Sequence, residues 1–196
     1  MSLIEYLKKR DFKQTTEPRS GKSSEKALSF VVQRHYASHL HYDFRLELDG
    51  VLKSWAVPKG PSMDPNDKRL AMMVEDHPVA YGHFEGIIPK GNYGAGVVFI
   101  WDEGSYHSAA EDHADDIKTL RAGLKSGTLE FNLNGKILKG GFTLVKMHNR
   151  EDNAWLLIKH HDEYAVKSFD PEDFVPGSIK ALKNNENGKA TVLPSL

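Results

Sequence analysis

The segment HLHYDFRLEL, residues 39–48, gives the clearest indication of the fold, because its polar and apolar side chains alternate without a break. Successive side chains of a β-strand point to opposite faces, so the alternation predicts a strand with one polar and one apolar face. The polar set is His39, His41, Asp43, Arg45 and Glu47, and the apolar set is Leu40, Tyr42, Phe44, Leu46 and Leu48. Residues 30–35 also alternate, and the short gap at 36–38 favours an antiparallel hairpin.

Short apolar runs broken by Gly, Pro and Asn continue along the chain and predict further strands. They lie at 51–57, 70–77, 97–101, 128–133, 137–138, 142–147 and 155–159. Asn134-Gly135 favours a tight hairpin turn, and residues 112–124 have the apolar spacing of a helix. We expect a mainly β protein, a small compact β-barrel of about eight short antiparallel strands with one or two peripheral helices.

Composition divides the chain into three predicted parts. Residues 1–26 form a mildly basic arm, whose short opening helix is indicated by a capping box of Ser2 and Glu5. Residues 27–167 form the barrel domain. Residues 168–196 are polar and rich in Pro and Asn, so we expect a tail or linker there.

The overall composition excludes several classes of protein. The 196 residues are 39% hydrophobic, which suffices for one packed core, and no Cys is present for a disulfide, a thiolate metal site or a Cys nucleophile. A net charge of −1 means that any bound polyanion must meet a local basic cluster. No apolar run approaches the roughly 18 residues of a membrane span. We expect a monomeric, cytoplasmic protein with no membrane partner.

The polar face of the 39–48 strand carries candidate metal ligands. His41 and Asp43 are two apart, so their Cα atoms lie roughly 6–7 Å apart on one side. The hairpin brings His35 beside them. A set of two His and one Asp suits Mn²⁺, Zn²⁺ or Fe²⁺. A solvated polar face is the alternative, but Arg45 in the same row favours the site, since a cation beside a metal makes sense where an anion binds both.

A second polar row is predicted on another strand, where Met73, Glu75 and His77 share a face. Lys59 in VPKGP and Arg69 in DKRL add cations. Taken singly, each of these is more typical of a solvated surface. Together they are the types that metal-assisted phosphoryl chemistry needs: cations for the phosphate oxygens and a His to handle a proton.

Two further features favour structural explanations. The glycine-rich stretch GNYGAG, residues 91–96, lacks the Gly-Lys-Ser/Thr ending of a phosphate-binding loop and precedes a strand, so it predicts a tight turn. Trp55, Trp101 and Trp155 lie within strand-like runs and are assigned to the core.

A long part of the sequence resembles a known family. The stretches FVVQRHYASHLHYDFRLELDGVLKSWAVPKGPSMDPNDKRLAMMVEDHP and YGHFEGIIPKGNYGAGVVFIWDEG are similar to the 3′-phosphoesterase domain of bacterial DNA ligase D and its stand-alone bacterial and archaeal relatives. The likeness runs from about Lys8 to Ala165. It implies a compact β-barrel and a Mn²⁺-dependent enzyme, with Co²⁺ or Zn²⁺ as possible substitutes. Such an enzyme removes a 3′-terminal ribonucleoside from DNA and then the 3′-phosphate, leaving a 3′-OH for end joining.

The resemblance also implies roles for individual residues. The metal ligands are His35, His41 and Asp43, and the phosphate contacts are His41, Arg45 and His77. Further catalytic positions are Glu75, Tyr81, Lys59 and Arg69, with Gln33 in support and Arg10, Asp11 and Glu17 in the arm. His77, oriented by Glu75, is the candidate general acid or transition-state donor. Lys59 and Arg69 are expected to bind the additional charge of a terminal phosphate. The implied partners are DNA primer-template 3′ ends and the ligase, polymerase and Ku-type proteins of end joining.

Two alternatives belong to other classes. A non-haem Fe²⁺ oxygenase would use His41, Asp43 and His77 as its facial triad. It would require Fe²⁺ and a 2-oxo acid. A non-catalytic module that binds DNA ends would rely on the basic arm, and would bind without metal or turnover.

Overall fold

A closed antiparallel barrel forms the body of the molecule in a computed structural model, which describes residues 2–21, 28–110, 112, 115–148 and 151–182. The strands are β1 (Ser29–Tyr36), β2 (Leu40–Leu48), β3 (Val51–Val57), β4 (Lys68–Pro78), β5 (Gly86–Ile88), β6 (Gly96–Ser108), β7 (Thr128–Gly135), β8 (Lys139–Lys146) and β9 (Ala154–Lys159). Their order is β1-β2-β3-β4-β9-β8-β7-β6-β5, and a further pairing of β1 with β6 closes the barrel. The prediction of a mainly β barrel is confirmed.

The helices are few and lie around the barrel. They are α1 (Leu3–Lys8), α2 (Asp116–Ser126) and α3 (Gly177–Lys180), with 3₁₀ turns at Val79–His83 and Pro171–Phe174. Glu5 accepts a hydrogen bond from the backbone N–H of Ser2 at 3.2 Å, as the capping-box pattern indicated. Helix α2 is the predicted helix, although residues 111, 113 and 114 lie outside the described residues. None of the helices in the described part of the chain is long and apolar enough to cross a membrane.

The hairpin predicted from the alternation is present in the expected register. In β1 and β2, His35 pairs with His41 and Gln33 pairs with Asp43. The apolar face of β2 lies in the core, where Tyr42 and Phe44 pack with the three tryptophans Trp55, Trp101 and Trp155. The prediction that the tryptophans belong to the core is therefore confirmed.

The opposite, polar face of β2 is buried as well. Asp43, Arg45 and Glu47 are all buried, because other parts of the chain cover the outside of the barrel here. A second apolar cluster includes Tyr6 from the arm and Tyr81 from the first 3₁₀ turn, and the centroid of the Tyr81 ring lies 4.8 Å from the guanidinium carbon of Arg45. The described part of the arm, residues 2–21, therefore packs on the barrel, and the remaining arm residues, 1 and 22–26, lie outside the described residues.

Strand β4 contains a bulge that changes the predicted second row. Ser54 pairs with Val74, but Leu52 pairs with His77, so one residue of β3 stands opposite two of β4. Met73 consequently packs against the core, while Val74 lines the outside with Glu75 and His77. The prediction that Met73 shares the face of Glu75 and His77 is wrong, because period-2 counting does not hold across a bulge.

The turn predicted at Asn134-Gly135 lies further along the chain. Asn134 pairs with Lys139, and the intervening loop is bound by the buried Asp102. The Asp102 carboxylate accepts hydrogen bonds from the backbone N–H groups of Lys136, Ile137 and Leu138 at 2.9, 3.1 and 2.8 Å. The Gly135 N–H also donates to the Leu138 carbonyl at 2.9 Å, so the chain turns at residues 136 and 137 and not at Asn134-Gly135.

The segment expected to be a polar tail packs on the barrel up to residue 182. Val175 and Ile179 belong to the core cluster, and the Trp101 indole N–H donates to the Pro171 carbonyl at 2.9 Å. Arg34 of β1 binds the Glu172 carboxylate through Nε and NH2 at 2.8 and 3.0 Å. The prediction of a polar tail or linker is therefore wrong for residues 168–182. The few apolar residues that fix this segment are spaced irregularly among polar ones, so they form no periodic pattern that the sequence would reveal. Residues 183–196 lie outside the described residues.

Candidate metal centre and active site

A hollow of about 180 Å³ lies on the outside of the barrel where β1, β2 and β4 meet the arm. Its polar lining brings together eight residues that the sequence predicted: Arg10, His35, His41, Asp43, Arg45, Glu75, His77 and Tyr81. Residues scattered over the sequence thus share one concave surface, as expected of a binding or catalytic site.

Three of these residues form a group that could hold a metal ion. One ligand atom from each of His35, His41 and Asp43 lies within 4.8 Å of the others. His35 Nδ1 is 3.5 Å from one carboxylate oxygen of Asp43, and His41 Nε2 is 3.7 Å from the other. The oxygenase alternative requires His77 as the third ligand beside His41 and Asp43. In the structure the third member of the group is His35.

Backbone carbonyls fix the orientation of both imidazoles. His35 Nε2 is 2.8 Å from the Gly94 carbonyl oxygen, and His41 Nδ1 is 3.0 Å from that of His39. A carbonyl only accepts, so these two nitrogens carry the protons and donate. In the neutral rings, the other nitrogens turn their lone pairs toward the Asp43 carboxylate. The two imidazole lone pairs and the Asp43 carboxylate face one point, where they attract a cation. Metal-binding histidines typically donate their other N–H to a carbonyl or carboxylate, as both rings do here.

Arg45 is a buried cation beside this group. Its guanidinium donates to Gln33 Oε1 at 2.8 Å, Ser54 Oγ at 2.9 Å and Asp43 Oδ2 at 3.0 Å. The Gln33 amide is itself fixed, since its Nε2 donates to the carbonyls of Tyr81 and Phe84 at 3.0 and 2.9 Å. A guanidinium has five N–H donors, and these three bonds leave one on NH1 and one on NH2.

The electrostatics keep Asp43 ionised. Burial alone would raise the pKa of its carboxyl group, but the positive charge of Arg45 lies beside it, and together with the neighbouring histidines it holds the pKa well below its usual value. Asp43 is therefore an anion at neutral pH, as a metal ligand has to be.

His77 faces the hollow as a neutral ring. Its Nδ1 donates to the Glu75 carbonyl at 2.9 Å, and its Nε2 accepts from Arg10 NH2 at 3.2 Å. Burial, and then the charges of Arg45 and Arg10, hold the pKa of His77 well below its usual value. Glu75 contacts His77 through its backbone carbonyl, while its carboxylate binds Lys9 and Arg10. Orientation of His77 by the Glu75 side chain therefore stays a prediction.

The arm supplies a second layer of charge around the hollow. The Glu75 carboxylate accepts from Lys9 Nζ at 2.9 Å and Arg10 NH1 at 3.2 Å. Arg10 Nε donates to Glu17 Oε1 at 2.8 Å, and Tyr81 OH donates to the same oxygen at 3.1 Å. The arm thus connects directly to β4.

Asp11 has a different position. It is exposed and accepts from the backbone N–H of Lys13 at 3.0 Å and the amide of Gln14 at 2.9 Å. The structure places Asp11 in a turn of the arm, outside the lining of the hollow.

Lys59 and Arg69 lie in a separate hollow of about 310 Å³, which shares no lining residue with the first. Lys59 is exposed, and Arg69 NH2 donates to Asp67 Oδ2 at 2.8 Å. Lys68 lines the same hollow. The structure brings the two predicted cations, Lys59 and Arg69, together. They lie beside the start of β4, whereas His77 lies near its end.

Sequence reasoning missed residues whose roles depend on contacts distant in the sequence. Ser54 Oγ accepts from Arg45 and lies 3.4 Å from His77 Nδ1, yet in VLKSWAV it is one small hydroxyl in a strand. Lys9 is one of several basic residues in the arm. Tyr93 and Gly94 line the hollow from the glycine-rich turn. No spacing in the sequence relates them to His35.

Comparisons with known proteins show the family of this chain. The family model described as DNA ligase D 3′-phosphoesterase domain matches residues 33–146. The multifunctional non-homologous end joining protein LigD of Pseudomonas aeruginosa is 46% identical in an alignment that covers 98% of this chain and 22% of that protein. The multifunctional non-homologous end joining DNA repair protein LigD of Mycobacterium tuberculosis is 37% identical in an alignment that covers 94% of this chain and 24% of that protein. The chain spans about a quarter of the length of the curated relatives it matches.

Proposed function

The chain belongs to the family of DNA ligase D 3′-phosphoesterase domains, and from this premise we propose that it is a metal-dependent enzyme that heals DNA 3′ ends. In the first step, water cleaves the phosphodiester that joins a terminal ribonucleoside to the primer. In the second step, water removes the remaining 3′-phosphate and leaves a 3′-OH. The meeting of His35, His41 and Asp43 beside the buried Arg45 carries this proposal.

We further propose that His35, His41 and Asp43 hold Mn²⁺, with Co²⁺ or Zn²⁺ as substitutes, because two imidazoles and a carboxylate suit divalent transition metals. Bound there, the ion supplies a Lewis acid for a phosphate oxygen. Arg45 supplies a fixed positive charge next to it. Its two remaining N–H donors can bind a second oxygen, so charge that develops on the phosphate meets donors already in place.

His77 and Arg10 complete the phosphate site in this proposal. Both face the hollow, and Arg10 has a donor on NH2 beyond the one that His77 accepts. Burial, together with the charges of the two arginines, holds the pKa of His77 low in the free protein and keeps the ring neutral. A bound phosphate anion offsets their charge and favours protonation of the imidazole. His77 can then donate a proton to the leaving oxygen, the role of a general acid.

The decisive test is an assay on a labelled duplex with a recessed, ribonucleotide-ended primer, run with Mn²⁺ or with EDTA. We expect a 3′-phosphate product first and a 3′-OH product later, and neither in EDTA, because the charge of the metal is required in both steps. An all-DNA primer in parallel tests recognition of the 2′-hydroxyl, which can donate and accept hydrogen bonds. Undiminished cleavage in EDTA would contradict the proposal, and metal-independent binding without cleavage would favour a DNA-end-binding module.

Lys59 and Arg69 are proposed to bind the second negative charge of a terminal phosphate, since a monoester has a second pKa of about 6. Lys59→Ala and Arg69→Ala should therefore slow the monoesterase at least about tenfold more than the diesterase, because one interaction with a charged group is worth roughly 1.5–3 kcal/mol. Accumulation of the 3′-phosphate intermediate is the measurement. Because Lys59 and Arg69 line a separate hollow, the alternative is that they bind the backbone of the primer. In that case both steps should slow equally in the two variants.

The partners in this proposal are DNA primer-template 3′ ends and the ligase, polymerase and Ku-type proteins of end joining. The names of the relatives place those proteins in non-homologous end joining. A cytoplasmic location is proposed on the same basis, and a monomeric state stays a prediction.

A further inference from the structure

The glycine-rich turn at residues 91–96 lies at the mouth of the hollow and is tied to the metal group. Its Gly94 carbonyl is the acceptor that fixes His35, at 2.8 Å. Gly91 and Gly94 have φ values of +93° and +74°, which favour glycine, and Ala95 N–H closes the turn on the Asn92 carbonyl at 3.2 Å. The backbone of this turn is thus fixed beside the centre of the site.

Tyr93 in this turn presents an aromatic ring to solvent at the same mouth. It is 49% exposed and lines the hollow. The other large hydrophobic side chains that are exposed in the described ranges, such as Tyr164 at 45%, do not line it. Tyr93 therefore combines the exposure of a surface residue with a position in the site.

Two cations from the arm hold this ring. Lys9 Nζ lies 4.8 Å from the ring centroid of Tyr93, and the Arg10 guanidinium carbon lies 5.6 Å from it. The same two side chains bind the Glu75 carboxylate. Cation–π contacts of this kind fix the plane of a ring without covering all of it. The arm and the turn together set an exposed ring beside the phosphate site.

We propose that Tyr93 is the stacking platform for the base of the terminal nucleoside, a binding residue for the substrate of the function proposed above. An enzyme that heals 3′ ends has to accept any base. Stacking on an aromatic ring does this, because every base has a π-face, whereas hydrogen bonds to base edges select among bases. An unpaired terminal base can leave the duplex and reach such a ring. The terminal phosphodiester is then positioned between the ring and the group of Arg45 and Asp43.

The test compares Tyr93→Leu, Tyr93→Phe and the control Tyr164→Leu on two primers. One primer ends in an ordinary ribonucleotide, and the other ends in a ribose without a base. With the ordinary primer, Tyr93→Leu should raise KM about tenfold, which corresponds to about 1.4 kcal/mol, and Tyr93→Phe should restore the lower KM. With the abasic primer, the Tyr93→Leu and unmodified proteins should have the same KM, because no base is present to stack.

A second readout separates stacking from cleavage. A primer with an unpaired terminal 2-aminopurine ribonucleotide is titrated with protein in EDTA, and the fluorescence of the base should be quenched by unmodified protein and by Tyr164→Leu but not by Tyr93→Leu. Absence of quenching by unmodified protein, quenching that survives in Tyr93→Leu, or an equal rise in KM on both primers overturns the platform. Failure of unmodified protein to cleave with Mn²⁺ is a different result, and it rejects the proposed function.

Discussion

His41→Ala is expected to lose both phosphoester activities by about a thousandfold or more while the barrel stays folded. His41 provides one of the three candidate ligand atoms, and a bound metal supplies several kcal/mol of transition-state stabilisation, at about 1.4 kcal/mol per tenfold in rate. The side chain of His41 is 22% exposed and takes no part in the core clusters. Its removal therefore affects the site far more than the fold.

His39→Ala is the matched control for this variant. His39 lies two residues away and is exposed, and it contributes only its backbone carbonyl to His41, which the substitution leaves in place. Activity on both primers, Mn²⁺ binding measured by calorimetry and thermal unfolding should be compared. Full activity in His41→Ala, or equal losses in the two variants, would contradict the assignment of the metal ligands.

The candidate metal group could be predicted from the sequence because it depends on one hairpin in which local rules agree. Alternation fixes the face of His41 and Asp43, and the short connection fixes the register that brings His35 opposite His41. A shift of one residue would turn the apolar Tyr42 and Phe44 out of the core, so burial itself specifies the register.

The parts that could not be predicted depend on contacts between distant segments. The bulge in β4 is set by pairing with β3, and nothing in MMVEDHP indicates it. The arm has the composition of a flexible basic segment, yet Tyr6 is fully buried against the outer cluster and its hydroxyl donates to the Pro18 carbonyl at 2.6 Å. One buried aromatic among charged residues gives no periodic signal, although it suffices to fix the arm on the barrel.

Arg45→Ala is expected to have the second largest effect, with a loss of both activities of at least about a hundredfold. The variant removes the proposed phosphate donors and the hydrogen bond that positions Asp43, and each interaction with a charged group is worth roughly 1.5–3 kcal/mol. It also leaves Gln33 Oε1 and Ser54 Oγ without their donor in a buried place, so the free energy of unfolding should fall by about 3 kcal/mol. Arg45→Lys keeps the charge, but the single ammonium of Lys cannot bind the three partners that the planar guanidinium binds. Its activity should therefore be little higher than that of Arg45→Ala.

Arg34→Ala separates the catalytic part of this effect from the structural part. Arg34 is also a buried arginine of the first hairpin and binds Glu172 through two nitrogens, but it does not line the hollow. Its loss should lower the thermal unfolding temperature while kcat, assayed well below that temperature, stays near that of the unmodified protein. The comparison is therefore made at matched folded fraction, from kcat/KM on the ribonucleotide-ended and the 3′-phosphate-ended primers. If Arg45→Ala then loses no more activity than Arg34→Ala, the guanidinium of Arg45 stabilises the barrel and contributes nothing to phosphate chemistry.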